Sequence, residues 1–214
     1  MLIPKQITAL AAVAARASSR YALSSVRLER KEGRPRAVAT DGKRALVFSW
    51  EEPDVAEFPS VDGLDRRPVP GFGVNVPPSA LADAAKGIPA RGPRPILQHI
   101  LLDESANGTV KLASATLDRV TRSEAQTEEG AFPPVDEVIP QHARDGRVYC
   151  PRQHAEPPFD AVRIGVDAGL LAGLLTAMAK LVGDGAETPV TLTVPVCANR
   201  PIRLDARNGD RRAV

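Results

Sequence analysis

The chain has 214 residues, with 43% hydrophobic and 25% charged side chains, which excludes an intrinsically disordered protein and allows one large domain or two small ones. Lys and Arg number 28 against 26 Asp and Glu, a net charge of +2, too even for a protein that coats nucleic acid by charge alone. The longest apolar run, near residues 170–178, falls well short of the roughly 18 residues of a membrane span, so no membrane partner is expected.

Two cysteines, Cys150 and Cys197, cannot build a disulfide scaffold and read as free thiols of a reducing cytosol, with a single disulfide as the alternative. Aromatic residues make up only 4%, so the core must come from Ala, Val, Leu and Ile. The Ala-rich start imitates a secretory leader, but Pro4 suits the first turn of a helix. Ile7, Leu10, Ala11 and Ala14 share one helical face, and Arg16 interrupts a cleavage site.

In chain order, Pro4–Ser18 reads as a helix and Tyr21–Arg30 as a strand with one slip in its alternation. Lys31–Arg36 is a charged turn, and Arg36–Thr40 and Lys43–Trp50 are two strands joined by Asp41-Gly42, a two-residue hairpin link whose positions favour positive φ. The Pro-rich, acidic stretch Glu51–Pro70 is a connector. The pattern then returns: a strand at Gly73–Val76, a helix at Pro77–Gly87, and strands at Ile96–Asp103, Thr109–Ala115 and Arg119–Glu128, with Asn107-Gly108 as a second tight turn. After a loose segment, Ala143–Pro158, come a strand at Ala161–Gly165 and a helix at Asp167–Val182 capped by Asp167. The apolar stripe of that helix is Leu170, Leu171, Leu174, Leu175 and Met178. Strands at Val190–Val196, Pro201–Asp205 and Arg211–Val214 complete the order.

Helix-then-strands thus occurs three times, and such a repeat outranks any single motif. Each unit has a small antiparallel sheet with one apolar face that needs a cover. The fold class expected is α+β: units 1–60 and 71–130 share a core with helices on one side and sheets outside, forming a domain over 1–142. A linker at 143–158 leads to a half domain at 159–214.

Several stretches resemble the bacterial sliding clamp family, the β subunit of the replicative DNA polymerase. Ala39-Thr40-Asp41-Gly42-Lys43-Arg44-Ala45 is similar to the Ala-Thr-Asp-Gly-His-Arg-Leu signature of that family's middle domain, with Lys43 in place of His and Ala45 in place of Leu. Arg20-Tyr21-Ala22-Leu23 stands at the matching distance upstream, where the family has Arg-Tyr-Tyr-Leu. Phe132-Pro133-Pro134-Val135-Asp136-Glu137-Val138-Ile139-Pro140 looks like the segment that closes that domain, and residues 166–175 resemble a helix of the family's last domain. The resemblance implies a DNA-clamp fold, shortened to the middle domain and the second half of the last. Its Met-Pro-like terminal segment has no counterpart in the sequence.

The resemblance also implies a function: a cytoplasmic, non-enzymatic replication factor that tethers a DNA polymerase or another clamp-binding protein at double-stranded DNA, with a homo-oligomer among the assemblies it allows. The runner-up is a shortened paralogue that binds clamp-partner peptides as a regulator or decoy without encircling DNA. Positions matching the family's peptide groove are Leu23, Thr40, Gly42, Lys43, Arg44, Ala45, Pro133, Val138 and Pro201. Leu23, Pro133 and Val138 supply apolar wall, Gly42 allows a close backbone approach, and Arg44 donates hydrogen bonds. The plainer alternative makes Asp41-Gly42 a hairpin tip and Leu23 a core residue. Lys5, Arg16, Arg20, Lys86 and Lys180 lie on or beside the helices where the family faces DNA, with Arg91 and Arg94 just beyond. Phosphate contacts of that kind carry no sequence information. A solvated helix face is the alternative, and Asp83 and Asp167 oppose a basic surface.

No cofactor or metal is expected. His142, Cys150 and His154 share one segment, but their spacing matches no standard zinc site. There is no Gly-x-Ser-x-Gly and no Walker loop. The acidic pairs Asp103-Glu104 and Glu128-Glu129 read as solvating charges. Arg27, Arg30, Lys31, Arg34 and Arg36, interleaved with Glu29 and Glu32, read as a solvated hairpin loop. Arg200, Arg203, Arg207, Arg211 and Arg212 form a second basic strand pair.

Overall fold

The structure is a computed structural model that describes residues 1–16, 22–64, 72–89, 94–105, 107–139, 141–142, 148–149, 166–183, 190–193 and 202–214. Leu2–Pro4 form strand β1, and a short helix with i→i+3 geometry follows at Lys5–Ala12. The expected helix at Pro4–Ser18 is therefore preceded by a strand and shortened. Pro4 is extended, at φ −65° and ψ 139°, and Val13 N–H closes the helix on Leu10 O at 2.9 Å. The next strand begins at Val26, not at 21, because the Ser25 hydroxyl donates to Ala22 O at 2.7 Å and holds a turn there.

Strands β2 (Val26–Lys31) and β3 (Arg34–Thr40) are joined by Glu32-Gly33, both with positive φ (52° and 79°), the tight turn that the sequence places at Asp41-Gly42. Between β3 and β4 (Ala45–Ser49) only Gly42 has positive φ, and the loop runs from Asp41 to Arg44. The connector after β4 carries a helical turn at Val55–Glu57, capped by Asp54, whose carboxylate accepts from Ala56 N–H at 2.8 Å.

Strand β5 spans Gly73–Val76 and helix α1 spans Pro78–Ala85. Ile96–Gln98, expected as the start of the strand Ile96–Asp103, belong instead to a helical turn, Pro95–Gln98, with Pro95 at its start. The strand proper, β6, is His99–Ser105, followed by β7 (Thr109–Ala115) and β8 (Val120–Gln126). A short pair, β9 (Gln141–His142) and β10 (Val148–Tyr149), precedes helix α2 (Ala168–Val182). Strands β11 (Val190–Thr193), β12 (Arg203–Asn208) and β13 (Arg211–Ala213) follow. Asp167 caps α2 as expected, accepting from Leu170 N–H at 2.8 Å. The expected strand at 161–165 lies outside the described residues.

The sheets exchange strands. β1, which opens the first unit, pairs with β6 of the second, Ile3 opposite Ile100. β5, which opens the second unit, pairs with β2 of the first, Val76 opposite Val26. Each three-stranded meander therefore receives the leading strand of the other, and the two units are related by a reciprocal swap. One sheet has the order β1-β6-β7-β8, and the larger one runs β11-β12-β13-β4-β3-β2-β5. Ser49 pairs with Arg212 and Phe48 with Ala213, so the third unit extends the first unit's sheet.

The main core lies where the inner faces of both sheets meet the helices. Ile3, Ile7, Leu28, Leu46, Phe48, Leu81, Ile100, Leu102, Met178 and Leu181 belong to it, each almost fully buried. The Lys5–Ala12 helix packs against both α1 and α2. On α2 the buried positions are Ala177, Met178, Leu181 and Val182, while Leu170 is exposed, so the stripe expected at its N-terminal end is only half-covered. The connector is more than a link: Phe58 and Val61 cover Leu2, Leu101, Ala113 and Ala115 on the outer face of the smaller sheet.

Candidate partner-peptide site

The loop from Thr40 to Arg44 is built by its own polar side chains. Asp41 Oδ1 accepts from Lys43 N–H at 2.9 Å and from Arg44 N–H at 3.0 Å. The Thr40 hydroxyl donates to Arg44 O at 2.7 Å and accepts from Gly42 N–H at 3.1 Å. Gly42, at φ +86°, makes the turn possible and lies open to solvent. Although burial opposes it, the N–H groups of Arg44 and Lys43 and the Arg44 guanidinium hold the Asp41 carboxyl below its usual range.

Arg44 turns toward the helices. Its Nε bonds Asp41 Oδ2 at 3.0 Å, and Nη2 donates to Ala12 O at 2.8 Å at the end of the first helix. Nη1 lies 3.0 Å from where a Cβ on Gly173 of α2 would sit. Leu23 approaches the same helix end, its carbonyl accepting from Ala15 N–H at 2.9 Å. Ala45 points the other way, to the outer face of the large sheet. There Val38, Val47 and Val135 form a buried cluster with Ala45, Phe132, Ile139 and Val214 packed around it. Pro133 lines a cavity of about 300 Å³ beside this cluster. Val138, 39% exposed, follows on the same segment, its N–H donating to Val135 O at 3.1 Å. The expected groove residues therefore form two groups: Leu23 and Arg44 on the helix side, Ala45, Pro133 and Val138 on the outer side. Thr40, Gly42 and Lys43 bridge them. Pro201 lies outside the described residues.

What holds the Phe132–Ile139 segment in place was not legible in the sequence. Arg36 faces Asp136 with two bonds, Nη1 to Oδ1 at 2.8 Å and Nη2 to Oδ2 at 2.7 Å, while Nε bonds Glu29 at 2.7 Å. Lys31 Nζ adds an ion pair to Asp136 at 2.7 Å. The Arg36 guanidinium, and after it Lys31, hold the Asp136 carboxyl down to about 2. The basic cluster read as a solvated loop is thus partly a clamp: Arg36 is largely covered, and Arg30 pairs with Glu52. Two arginines of the second basic group are tied down in the same way. Asp205 accepts from Arg203 Nε at 2.6 Å and from Arg212 Nη2 at 2.8 Å.

The basic residues expected to face DNA are scattered in their engagement. Lys5 donates to Pro89 O, and Lys86 pairs with Asp83 at 2.6 Å. Arg16 and Lys180 are exposed. Arg94 is on the outer side, lining a cavity with Ile96, Leu117 and Arg119. Arg20, Arg91, Cys150, His154 and Cys197 lie outside the described residues. The exposed helical positions are otherwise small or uncharged, among them Ala11, Ala12, Ser79, Ala172 and Thr176. No helix among the described residues is long and apolar enough to cross a membrane.

No family model matches the chain, and no curated protein does. Solved structures do. The chain is similar to Caulobacter crescentus pol III beta, at 19% identity and a TM-score of 0.41, over 100% of this chain and 49% of that one. It is also similar to the DNA polymerase III subunit beta from Pseudomonas aeruginosa, at 19% identity and a TM-score of 0.45, over 100% and 50% of the two chains. A DNA polymerase sliding clamp from Caulobacter crescentus is 21% identical, with a TM-score of 0.42, over 100% and 48%. The chain spans about half the length of these structures.

Proposed function

We propose that this chain is a sliding-clamp-like replication factor, not itself catalytic, that holds a partner protein through a short peptide segment with apolar anchors. The peptide lies along the outer face of the large sheet, across Ala45, Pro133 and Val138, and reaches over the Thr40–Arg44 loop toward Leu23. Residues 1–142 serve as the two-unit domain and 159–214 as a half domain joined to it through 143–158. The observation that carries the reading is the partly buried apolar patch of Ala45, Phe132, Ile139 and Val214, seated on the buried Val38, Val47 and Val135. Arg36 and Asp136 hold its covering segment in place. An apolar patch beside a cavity lined by Phe132, Pro133, Arg36 and Asp136 offers an extended peptide both anchoring contacts and fixed polar groups.

The test is a titration of a labelled peptide of the clamp-binding type from a polymerase, read by fluorescence anisotropy. Binding is expected. Val138→Asp, and Arg44→Ala combined with Leu23→Ala, each weaken it tenfold or more, about 1.4 kcal/mol. An unchanged anisotropy up to millimolar protein overturns the proposal.

The helix face favours the reading in which partners are bound without encirclement of DNA. Lys86 is neutralised by Asp83, Lys5 is drawn to Pro89, and the neighbouring exposed positions are small. A DNA-lining surface works by phosphate contacts, so its affinity falls steeply with salt. Duplex binding at low salt that vanishes by physiological ionic strength supports the polymerase-tethering reading, and no binding at low salt leaves the regulator or decoy.

A further inference from the structure

We propose that β8 is a docking edge for a second copy of this chain, forming an antiparallel two-fold seam centred on Ser123. Among the described residues β8 pairs only with β7. Its equivalent in the first unit is β4, the last strand of the matching meander, and that edge is already occupied by β13. Val47 and Val214 exchange both backbone bonds there, at 2.6 and 2.7 Å. Among the described residues the same position in the fold is thus used once as an antiparallel seam and left open once.

The backbone of β8 sets the register. Thr116 N–H donates to Arg119 O at 2.8 Å, and Thr127 N–H to Gly108 O at 2.9 Å, at the two ends of the β7–β8 ladder. Antiparallel ladders alternate, so the odd positions of β8 bond to β7, while Val120, Arg122, Glu124 and Gln126 turn their N–H and C=O groups outward. Two copies pair through these four residues in full only when the two-fold passes through Ser123. That register sets Arg122 opposite Glu124 of the second copy, twice, and Val120 opposite Gln126. Shifting by two residues either way places Arg122 against Arg122 or Glu124 against Glu124 and loses outer bonds. Charges on an open edge ordinarily discourage pairing, but here one register converts them into two cross-strand ion pairs. Among the described residues Arg122 has only Asp62 as an ion-pair partner, at 3.8 Å, both widely exposed. The 40% exposed Val120 is covered in the seam. The inference is independent of the peptide-binding proposal, since β8 lies in the other sheet.

A seam of one strand pair is small, so association is expected at protein concentrations on the order of 100 µM, followed by sedimentation velocity. Arg122→Glu and Glu124→Arg singly weaken the dimer tenfold or more, and the double swap restores it to within about threefold. In the wild-type dimer the amides of Val120, Arg122, Glu124 and Gln126 gain protection from hydrogen exchange, and those of Thr121, Ser123 and Ala125 do not change. Circular dichroism confirms that each variant is folded, and the exchange pattern of the unmodified chain decides the matter if one is not. A chain that stays monomeric, a dimer indifferent to the single swaps, a double swap no better than the singles, or unchanged exchange at the even positions overturns the seam.

Discussion

Arg36 and Asp136 are 100 positions apart in sequence and face each other through two hydrogen bonds of 2.8 and 2.7 Å across the outer surface of the large sheet. Arg36 stands on β3 beside Glu29 of β2, so the pair ties the Phe132–Ile139 segment to two strands at once. The same contact fixes the floor of the proposed peptide site.

The pair predicts an acid-dependent component of stability. The Asp136 carboxyl is held at about 2 in the folded protein, below its value in the unfolded chain, so the folded state favours its ionised form. That contribution is fully present above pH ~4 and is lost as pH falls toward ~2. Asp136 is 37% exposed, and after solvent screening the effect is about 1 kcal/mol. Asp136→Asn is expected to lower stability by about that amount at pH 7 and to flatten the decline between pH 4 and 2. Urea unfolding followed by Trp50 fluorescence across this range gives the comparison, and parallel pH profiles for the two proteins count against the assignment.

Trp50 secures the exchanged strand. Its indole Nε1 donates to Leu2 O at 3.0 Å, and its ring stacks on Phe48 at a centroid separation of 5.4 Å. Trp50→Phe keeps most of the apolar contact and leaves the buried Leu2 carbonyl without that donor, a cost of about 1–3 kcal/mol. Circular dichroism melts measure the loss. Hydrogen exchange should show the amides of β1 and β6 loosening first, and a uniform loss across both sheets contradicts a local role for the tryptophan.

The repeat of helix and meander was legible because it rests on local patterns: Gly73–Val76 and Thr109–Ala115 alternate cleanly and form strands over those residues. Pairing between distant segments left no such mark. Leu2–Pro4 is too short to show a period, and its strand character comes from Leu101 and Ile100 across the sheet. The turn within Lys31–Arg36 was readable, but its two-residue form at Glu32-Gly33 was not, because Glu is an unusual residue at positive φ; Asp41-Gly42 has the usual sequence but uses the Asp side chain to widen the loop. At the candidate site the residue types were readable, but their directions were not. Arg44 and Ala45 are adjacent in sequence and point to opposite sides: Arg44, the last loop residue, is drawn to Asp41 and Ala12 O, and Ala45, the first residue of β4, packs on the outer face.

Helix α2 was read with the right ends and the wrong weight, which gives a simple contrast. Leu181 is fully buried among the helices and the inner sheet face, whereas Leu170 is 38% exposed near the N-terminal end. Leu181→Ala is expected to cost about 2–5 kcal/mol through lost burial and the cavity left behind. Leu170→Ser should stay within about 0.5 kcal/mol. Equal costs in chemical denaturation would mean that the two ends anchor α2 alike and overturn the contrast.

Gly173 and Arg44 should prove energetically coupled. A glycine inside a helix ordinarily costs about 1 kcal/mol relative to alanine, so Gly173→Ala on an open helix face stabilises by that amount. Here the added Cβ meets Arg44 Nη1 at 3.0 Å, closer than ordinary contact. The guanidinium has little room to retreat, because Nη2 is held by Ala12 O and Nε by Asp41. In the native background the helical gain is offset by crowding, and the net change is near zero. In an Arg44→Ala background the obstruction is gone and the full gain of about 1 kcal/mol returns. A double-mutant cycle by urea unfolding reads the difference, expected to exceed about 0.5 kcal/mol for residues in contact. Additivity within about 0.3 kcal/mol would mean that the guanidinium does not sit against α2.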